Sequence, residues 1–431
     1  MHDVVYGTAN PATQRVLGLL KALRFEERDV AEGLSLTANE NRVSKAGRLL
    51  IASPLGERYL LGTTNERLPS PFVVAGRLML RGLPRVIALE QAANRAAAKI
   101  FAAQMSDFRP LSGMHTTLCT IALLTRPGDA VYSISPAYGG HFATRPILHR
   151  LGRRSHYLPW DSRRMCWDED GLSDVFRRSR PAAILLDHGV ALGPLPIAAL
   201  RTRVGPRVLV LYDASHTFGL IAGGVFPNPL CEGCDVLQGN THKTFPGPHK
   251  GMLHFRSRRI GCKVRNGLSA GFVSSQHTHH ALALYVAMLE MEAFGEDYAR
   301  RIVANAAALG GELEKRGFEL LRAGAAPTAS NLLIVKKMGA LDPYQACEAL
   351  LRVGVATNAR MLNGQPVLRI GTQEVTRRGM LRPEMQWIAD VFYSAVIRRD
   401  NPDRLRRKVM AFSSTYKNVH YSFDRTLGLW N

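Results

Sequence analysis

The stretch "GNTHKTFPGPHKG" (residues 239–251) decides how this chain is read. Its first residues end an apolar run, yet a lysine, Lys243, follows almost at once and a Pro/Gly-rich turn closes the segment. A charge placed at the end of a buried strand is costly unless something uses it. Thirty residues upstream, "RVLVLYD" (207–213) is apolar until its final Asp213, and "ASHTFGL" follows. An acidic residue at the carboxyl end of a buried parallel strand faces the crevice where such sheets bind ligands. A lysine on the turn after a neighbouring strand faces the same crevice.

Outward from this pair, short β-branched runs alternate with helical periodicities, which predicts an α/β fold. The strands expected are 129–135, 182–188, 207–213 and 251–257, the last three apolar almost throughout, as for strands covered on both faces. Helical patterns run over 85–104 and 279–317, and the second is too long to be expected as one helix and is expected to bridge two domains. "NLLIVKK", a helix near 343–353 and "PVLRIGT" make a smaller α+β unit. The division expected is an arm over 1–44, a large domain over 45–293 and a small domain over 294–431.

With 431 residues and 46% hydrophobic residues, the chain is long enough for two packed domains. It shows no signal-peptide pattern and no apolar run of membrane-spanning length, so a cytoplasmic protein is expected. Six cysteines are scattered; Cys231 and Cys234 form a lone C-x-x-C that no second pair or histidine cluster completes into a zinc site, so no metal is expected. The net charge of +21, from 56 basic and 35 acidic residues, lies in dispersed clusters without aromatic interleaving or a helix-turn-helix pattern. Nucleic acid is therefore not the expected partner; an anionic cofactor or a small amino-acid substrate is a fitting use of such a field.

A lysine and a carboxylate meeting in one crevice are what pyridoxal phosphate requires: an amine to bond the cofactor and a carboxylate to keep its ring nitrogen protonated. Alone, this pairing is weak, because any α/β enzyme has an Asp and a Lys on strand ends. Four ordered segments strengthen it: "LTANENRVS" (36–44), "LEQAANRAAAKIF" (89–101), "DASHTFGL…NTHKTFPGPHKG" (213–251) and "VLRIGTQEVTRRG" (367–379). Together they resemble the serine hydroxymethyltransferase family across most of the chain. That resemblance implies the aspartate aminotransferase-like fold type I of pyridoxal phosphate enzymes, with a mixed, mostly parallel sheet in the large domain and a small α+β C-terminal domain.

The resemblance also implies roles. Lys243 is the Schiff-base lysine, and Asp213 the partner of the pyridine nitrogen. His216 lies near the cofactor's phenolic oxygen or the substrate. Ser112 and Gly113 open a helix whose N–H groups hold the phosphate, helped by His242. Arg369 clamps the substrate carboxylate, with Asn39 and Tyr59 as further substrate contacts. Ser275 and Gln276 stand where the family has a Gly-Gly reaching a neighbouring subunit's phosphate, so a homodimer with shared active sites is expected.

Departures from the family pattern bear on the reaction. Leu61 replaces the glutamate that moves protons in folate-dependent transfer. Tyr138, in "SPAYGGHFATRP", replaces an earlier histidine and is expected to stack on the ring, while His141 retains the later one. Val190 stands near the place of a serine. These changes argue against folate-linked conversion of serine to glycine. The first expectation is β-elimination or decarboxylation of a bulky, S-conjugated cysteine, as in antibiotic biosynthesis, with Lys243 as the base. The alternative is folate-free aldol or transaldol chemistry of the threonine type, with His216 or His141 receiving the β-hydroxyl proton.

Overall fold

The computed structural model describes residues 10–60, 72–75, 78–81, 83–322 and 324–430. Its centre is a seven-stranded sheet of β1 (Met105–Asp107), β2 (Ala130–Ser133), β3 (Arg154–Tyr157), β4 (Ala183–Leu186), β5 (Leu209–Asp213), β6 (Val236–Asn240) and β7 (Gly251–Phe255). The spatial order is β1-β7-β6-β5-β4-β2-β3. The run from β6 to β3 is parallel, whereas β7 pairs antiparallel with both β6 and β1. The expected α/β class and mixed, mostly parallel sheet are therefore present.

The apolar runs are explained by burial on two faces. Along β4, Ala183 and Leu185 pack into one core cluster while Ile184 and Leu186 pack into another. A strand covered on both sides loses the alternation of a half-exposed one and reads as a continuous apolar segment.

A second unit holds the antiparallel strands β8 (Phe318–Leu321), β9 (Leu332–Met338), β10 (Asn358–Leu362) and β11 (Gln365–Gly371), in the order β8-β9-β11-β10. Leu34 and Ser35, just after helix α1 (Pro11–Glu32), pair in parallel with Val355 and Ala356, and Leu34 and Leu36 join the core of this unit. The amino-terminal segment thus packs on the small domain.

One expectation is corrected. The long periodic segment after residue 277 is a single helix of 38 residues, α3 (Thr278–Lys315), with α2 (Gly113–Leu124) preceding it in the large domain. Its early turns bury Ala281, Leu284 and Met288 in the large-domain core; its last turns bury Leu309 and Leu313 in the small one. Packing at both ends stabilises a length that local propensity alone would not select. A buried ion pair, Arg377 Nη2 to Glu290 Oε2 at 2.5 Å, both side chains 1% exposed, ties the first half of α3 to the small domain.

Candidate active site

The site lies outside the carboxyl ends of β5 and β6. Adjacent parallel pairing sets Asp213 opposite Gln238, so the chain leaving each strand enters the same space. After β5 the backbone turns at once: Ser215 N–H donates to Asp213 Oδ1 at 2.9 Å, and Ala214 N–H to the Gln238 carbonyl at 2.8 Å. Ser215 Oγ in turn accepts from Asn240 N–H at 3.1 Å. This tethered turn delivers His216, whose Nε2 lies 3.0 Å from Lys243 Nζ.

Two early-sequence asparagines brace the same place. Asn41 Nδ2 donates to the Lys243 carbonyl and, at 2.8 Å, to Tyr298 Oη on α3. Asn39 Oδ1 accepts from Arg369 Nη2 at 2.9 Å; that guanidinium also donates from Nη1 to the Gly189 carbonyl at 2.9 Å and from Nη2 to Asn358 Oδ1 at 3.3 Å. Arg369 is 7% exposed, and its Nε is buried without a partner.

Burial governs the protonation states. It pushes the Lys243 ammonium down to about 8; the nearby Asp213 opposes this and Arg369 adds to it. His216 falls well below the ordinary imidazole range, through burial first and then the positive charges of Lys243, Arg369 and Arg360. His141 is lowered by burial, with Asp213 opposing and Lys243 and Arg360 adding. Near neutrality the crevice thus offers two neutral imidazoles beside an amine close to release. Arg369, pushed down to about 10 by burial and Arg360, keeps its charge.

His141 reaches this position through the two glycines before it. Gly139 has φ of 100°, and a Cβ there would meet Val190 Cγ2 at 2.2 Å; a Cβ on Gly140 would meet the Ile134 carbonyl at 1.9 Å. Only glycine permits that fold-back. His141 N–H then donates to Asp187 Oδ2 at 3.1 Å, and Thr144 Oγ1 to the same oxygen at 2.6 Å. Burial raises the Asp187 carboxyl to about 7. Tyr138 stacks on Trp160, ring centres 6.2 Å apart and planes at 16°. His141 too lies within the electrostatic reach of both Asp213 and Lys243.

At the other end of the crevice, Ser112 caps α2: its Oγ accepts from His115 N–H at 3.1 Å. Gly113 packs so closely on β6 that a Cβ would lie 3.0 Å from Asn240 Cβ. His242 stacks on His249, ring centres 3.6 Å apart. Gln276 turns to Glu90, donating from Nε2 to Oε2 at 2.8 Å, while its carbonyl accepts from Lys250 Nζ at 2.7 Å. Tyr59 is 51% exposed and its hydroxyl contacts Ser274 Oγ, so within one chain it is not joined to the Lys243 cluster. Val190 is buried against Leu192 and Ile334. Leu61 lies outside the described residues.

These residues fit pyridoxal phosphate. The buried Asn240 Oδ1, His216 Nδ1, His242 Nδ1 and Arg369 Nε have no partner, and their residues lie at the ends of β5, β6 and β11 or on the turns that follow. An anion suits the α2 N-terminus, a protonated ring nitrogen suits Asp213, and a carboxylate suits Arg369. Among the described residues no cluster suited to a metal ion is found, and Cys231 is exposed while Cys234 is buried.

Sequence reasoning did not single out Asn240, Asp187, His188, Trp160 or Arg360. His188 is buried with neither ring nitrogen partnered and is pushed down to about 3. The "LLDHG" run that holds Asp187 and His188 ends β4 as "LYD" ends β5, and that parallel is the signal that was available.

Comparison with known proteins adds to this geometry. The family model "Serine hydroxymethyltransferase" matches residues 16–392. A fluorothreonine transaldolase of Streptantibioticus cattleyicolor is 39% identical over 400 residues, 93% of this chain, and the chain spans 63% of that protein's length. A serine hydroxymethyltransferase of Methanosphaera stadtmanae is 34% identical over 406 residues, covering 91% of this chain and 92% of its own. The crystal structure of L-threonine transaldolase from Pseudomonas fluorescens in internal aldimine state superposes with a TM-score of 0.89 at 28% identity, covering 97% of this chain and 96% of its own.

Proposed function

The chain belongs to the serine hydroxymethyltransferase family, the fold type I enzymes that use pyridoxal phosphate, and within that family we propose that it is a folate-independent threonine transaldolase. It would move the two-carbon aminoacyl unit of a β-hydroxy-α-amino acid from one aldehyde to another. Sequence reasoning placed elimination or decarboxylation of an S-conjugated cysteine first and transaldol chemistry second. The named activities of two relatives favour the second.

The single observation that supports this reading most is the Lys243–His216 contact at 3.0 Å, between an amine lowered to about 8 and a neutral imidazole. Cleaving a β-hydroxy-amino acid at Cα–Cβ requires a base for the β-hydroxyl proton, and elimination of a thiolate does not. When bound, pyridoxal phosphate supplies an electron sink that makes the bonds at Cα breakable. Arg369, fixed by Asn39, Asn358 and the Gly189 carbonyl, holds the α-carboxylate and so selects which bond at Cα is aligned. His216 receives the β-hydroxyl proton as the first aldehyde leaves and returns it to the oxygen of the second. His141 covers the ring face, Asp213 keeps the ring nitrogen protonated, and α2 holds the phosphate.

Homodimerisation belongs to the same proposal. Helix α1 leaves Leu19 68%, Phe25 60% and Val30 72% exposed, more apolar side chain than an isolated helix keeps in water. A second copy would cover such a face and would bring Tyr59 and the Ser275–Gln276 segment to its neighbour's site.

The test is to supply the holoenzyme with L-threonine and an acceptor aldehyde, without folate. Acetaldehyde and a new β-hydroxy-amino acid are expected, and Lys243→Ala should abolish both. Pyruvate and free thiol from S-alkylcysteines, with no acetaldehyde from threonine, would instead favour elimination.

A further inference from the structure

Arg360 occupies the same crevice and has no role in the chemistry above. It lies on β10, opposite Val367, and is half-buried. Its Nη2 donates to the Pro136 carbonyl at 3.2 Å and its Nε to the Met361 carbonyl at 3.3 Å. Among the described residues Nη1 has no hydrogen-bond partner, and no carboxylate lies within ion-pair distance of the guanidinium.

The direction of Nη1 is informative. It lies 3.6 Å from the point a Cβ on Gly189 would occupy, and His216 Nε2 lies 3.7 Å from the same point. The guanidinium edge and the imidazole that touches Lys243 therefore both border the point beside Gly189, as does the Gly139 carbonyl oxygen at 3.1 Å. Its field reaches the neighbouring groups: Arg360 lowers the proton affinity of His141, His188, His216 and Arg369.

The roles given so far leave one cation of the site without an assigned anion. Asp213 answers the ring nitrogen, Arg369 answers the α-carboxylate and α2 answers the phosphate. Arg360 is left as a half-buried cation beside histidines lowered by burial, able to be answered by an anionic ligand.

We propose that Arg360 is the anion-binding corner of the acceptor site, so that the preferred second substrate is a short aldehyde carrying a carboxylate. This rests on the transaldolase reading. The Cα–Cβ bond of threonine breaks and acetaldehyde leaves, and a bond forms between Cα and the acceptor carbonyl carbon. The proton taken from the first hydroxyl ends on the new one, and nothing is oxidised or reduced overall.

Succinic semialdehyde and butanal, of similar length but different charge, provide the test. With threonine as donor, wild type should favour succinic semialdehyde by at least about tenfold in kcat/KM, the scale of one charge-assisted contact. Arg360→Gln should collapse that ratio to about one, and Arg360→Lys should restore part of it. An equal loss for both aldehydes in Arg360→Gln would assign the residue to bracing the Pro136 turn and overturn the proposal, as would a wild type without preference. A second arm needs no turnover: calorimetric titration of glycine-saturated holoenzyme with butyrate, in which Arg369 is already occupied. Binding by wild type that is lost in Arg360→Gln supports the anion site, and no binding by wild type counts against it. If threonine yields no acetaldehyde, the transaldolase reading fails, and the titration still decides whether Arg360 binds a carboxylate.

Discussion

Replacing Arg369 by glutamine removes a fork that is already held in position. The wild-type guanidinium is fixed by acceptors at 2.9, 2.9 and 3.3 Å, and its buried Nε has no partner. Its charge persists at neutral pH, since burial brings it down only to about 10. Two charge-assisted hydrogen bonds to the substrate carboxylate contribute about 1.5–3 kcal/mol each, and a loss of about 4 kcal/mol corresponds to roughly a thousandfold in kcat/KM. Arg369→Lys keeps the charge without the planar fork and should lose on the order of 10–100-fold. Acetaldehyde release from threonine, coupled to alcohol dehydrogenase and NADH, reads both variants; an unchanged cofactor absorbance band verifies that the site is intact. A loss below tenfold in Arg369→Gln would refute the carboxylate role.

Other consequences can be measured without substrate turnover. In the cofactor-free chain Lys243→Met should be more stable than wild type by about 3 kcal/mol below pH 8, because burial lowers the ammonium to about 8. The sign follows from the depressed folded value: the cost of charging is full below about 8 and vanishes as pH passes the unfolded value near 10.5. The two denaturation midpoints should therefore converge by about pH 10.5, and a pH-independent gap would contradict the assignment. Glu290→Gln leaves Arg377 charged and buried at the α3 junction, and should destabilise by about 3–5 kcal/mol in urea unfolding. Gly140→Ala drives a Cβ into the Ile134 carbonyl, so it should weaken cofactor retention on dialysis at least about tenfold; full retention would show that His141 does not depend on that fold-back.

Much of this was legible in the sequence because the relevant residues sit at strand ends. Asp213, His216 and Lys243 follow apolar runs whose buried, parallel character is evident from composition alone, and adjacent pairing of β5 with β6 does the rest. Arg369 and Asn39 were readable as motif members, and their hydrogen bond joins residues 330 positions apart. The continuity of α3 was not legible, because packing at its two ends, rather than local propensity, sustains the helix. Nor was the stacking of Tyr138 on Trp160. Where residues 138 and 141 point depends on the backbone reversal at Gly139–Gly140, and spacing does not encode that. Arg360 escaped notice because a lone arginine on an amphipathic strand reads as surface; only its distance to the point beside Gly189 distinguishes it.

The most direct measurement follows an isotope. L-threonine labelled with carbon-13 at Cα and nitrogen-15 is incubated with the holoenzyme and succinic semialdehyde, free of folate, and the products are resolved by mass spectrometry. Both labels should appear together in a new β-hydroxy-α-amino acid, with unlabelled acetaldehyde released in equal amount. Labels found only in glycine, or nitrogen-15 lost as ammonia, would contradict transfer between aldehydes at this site.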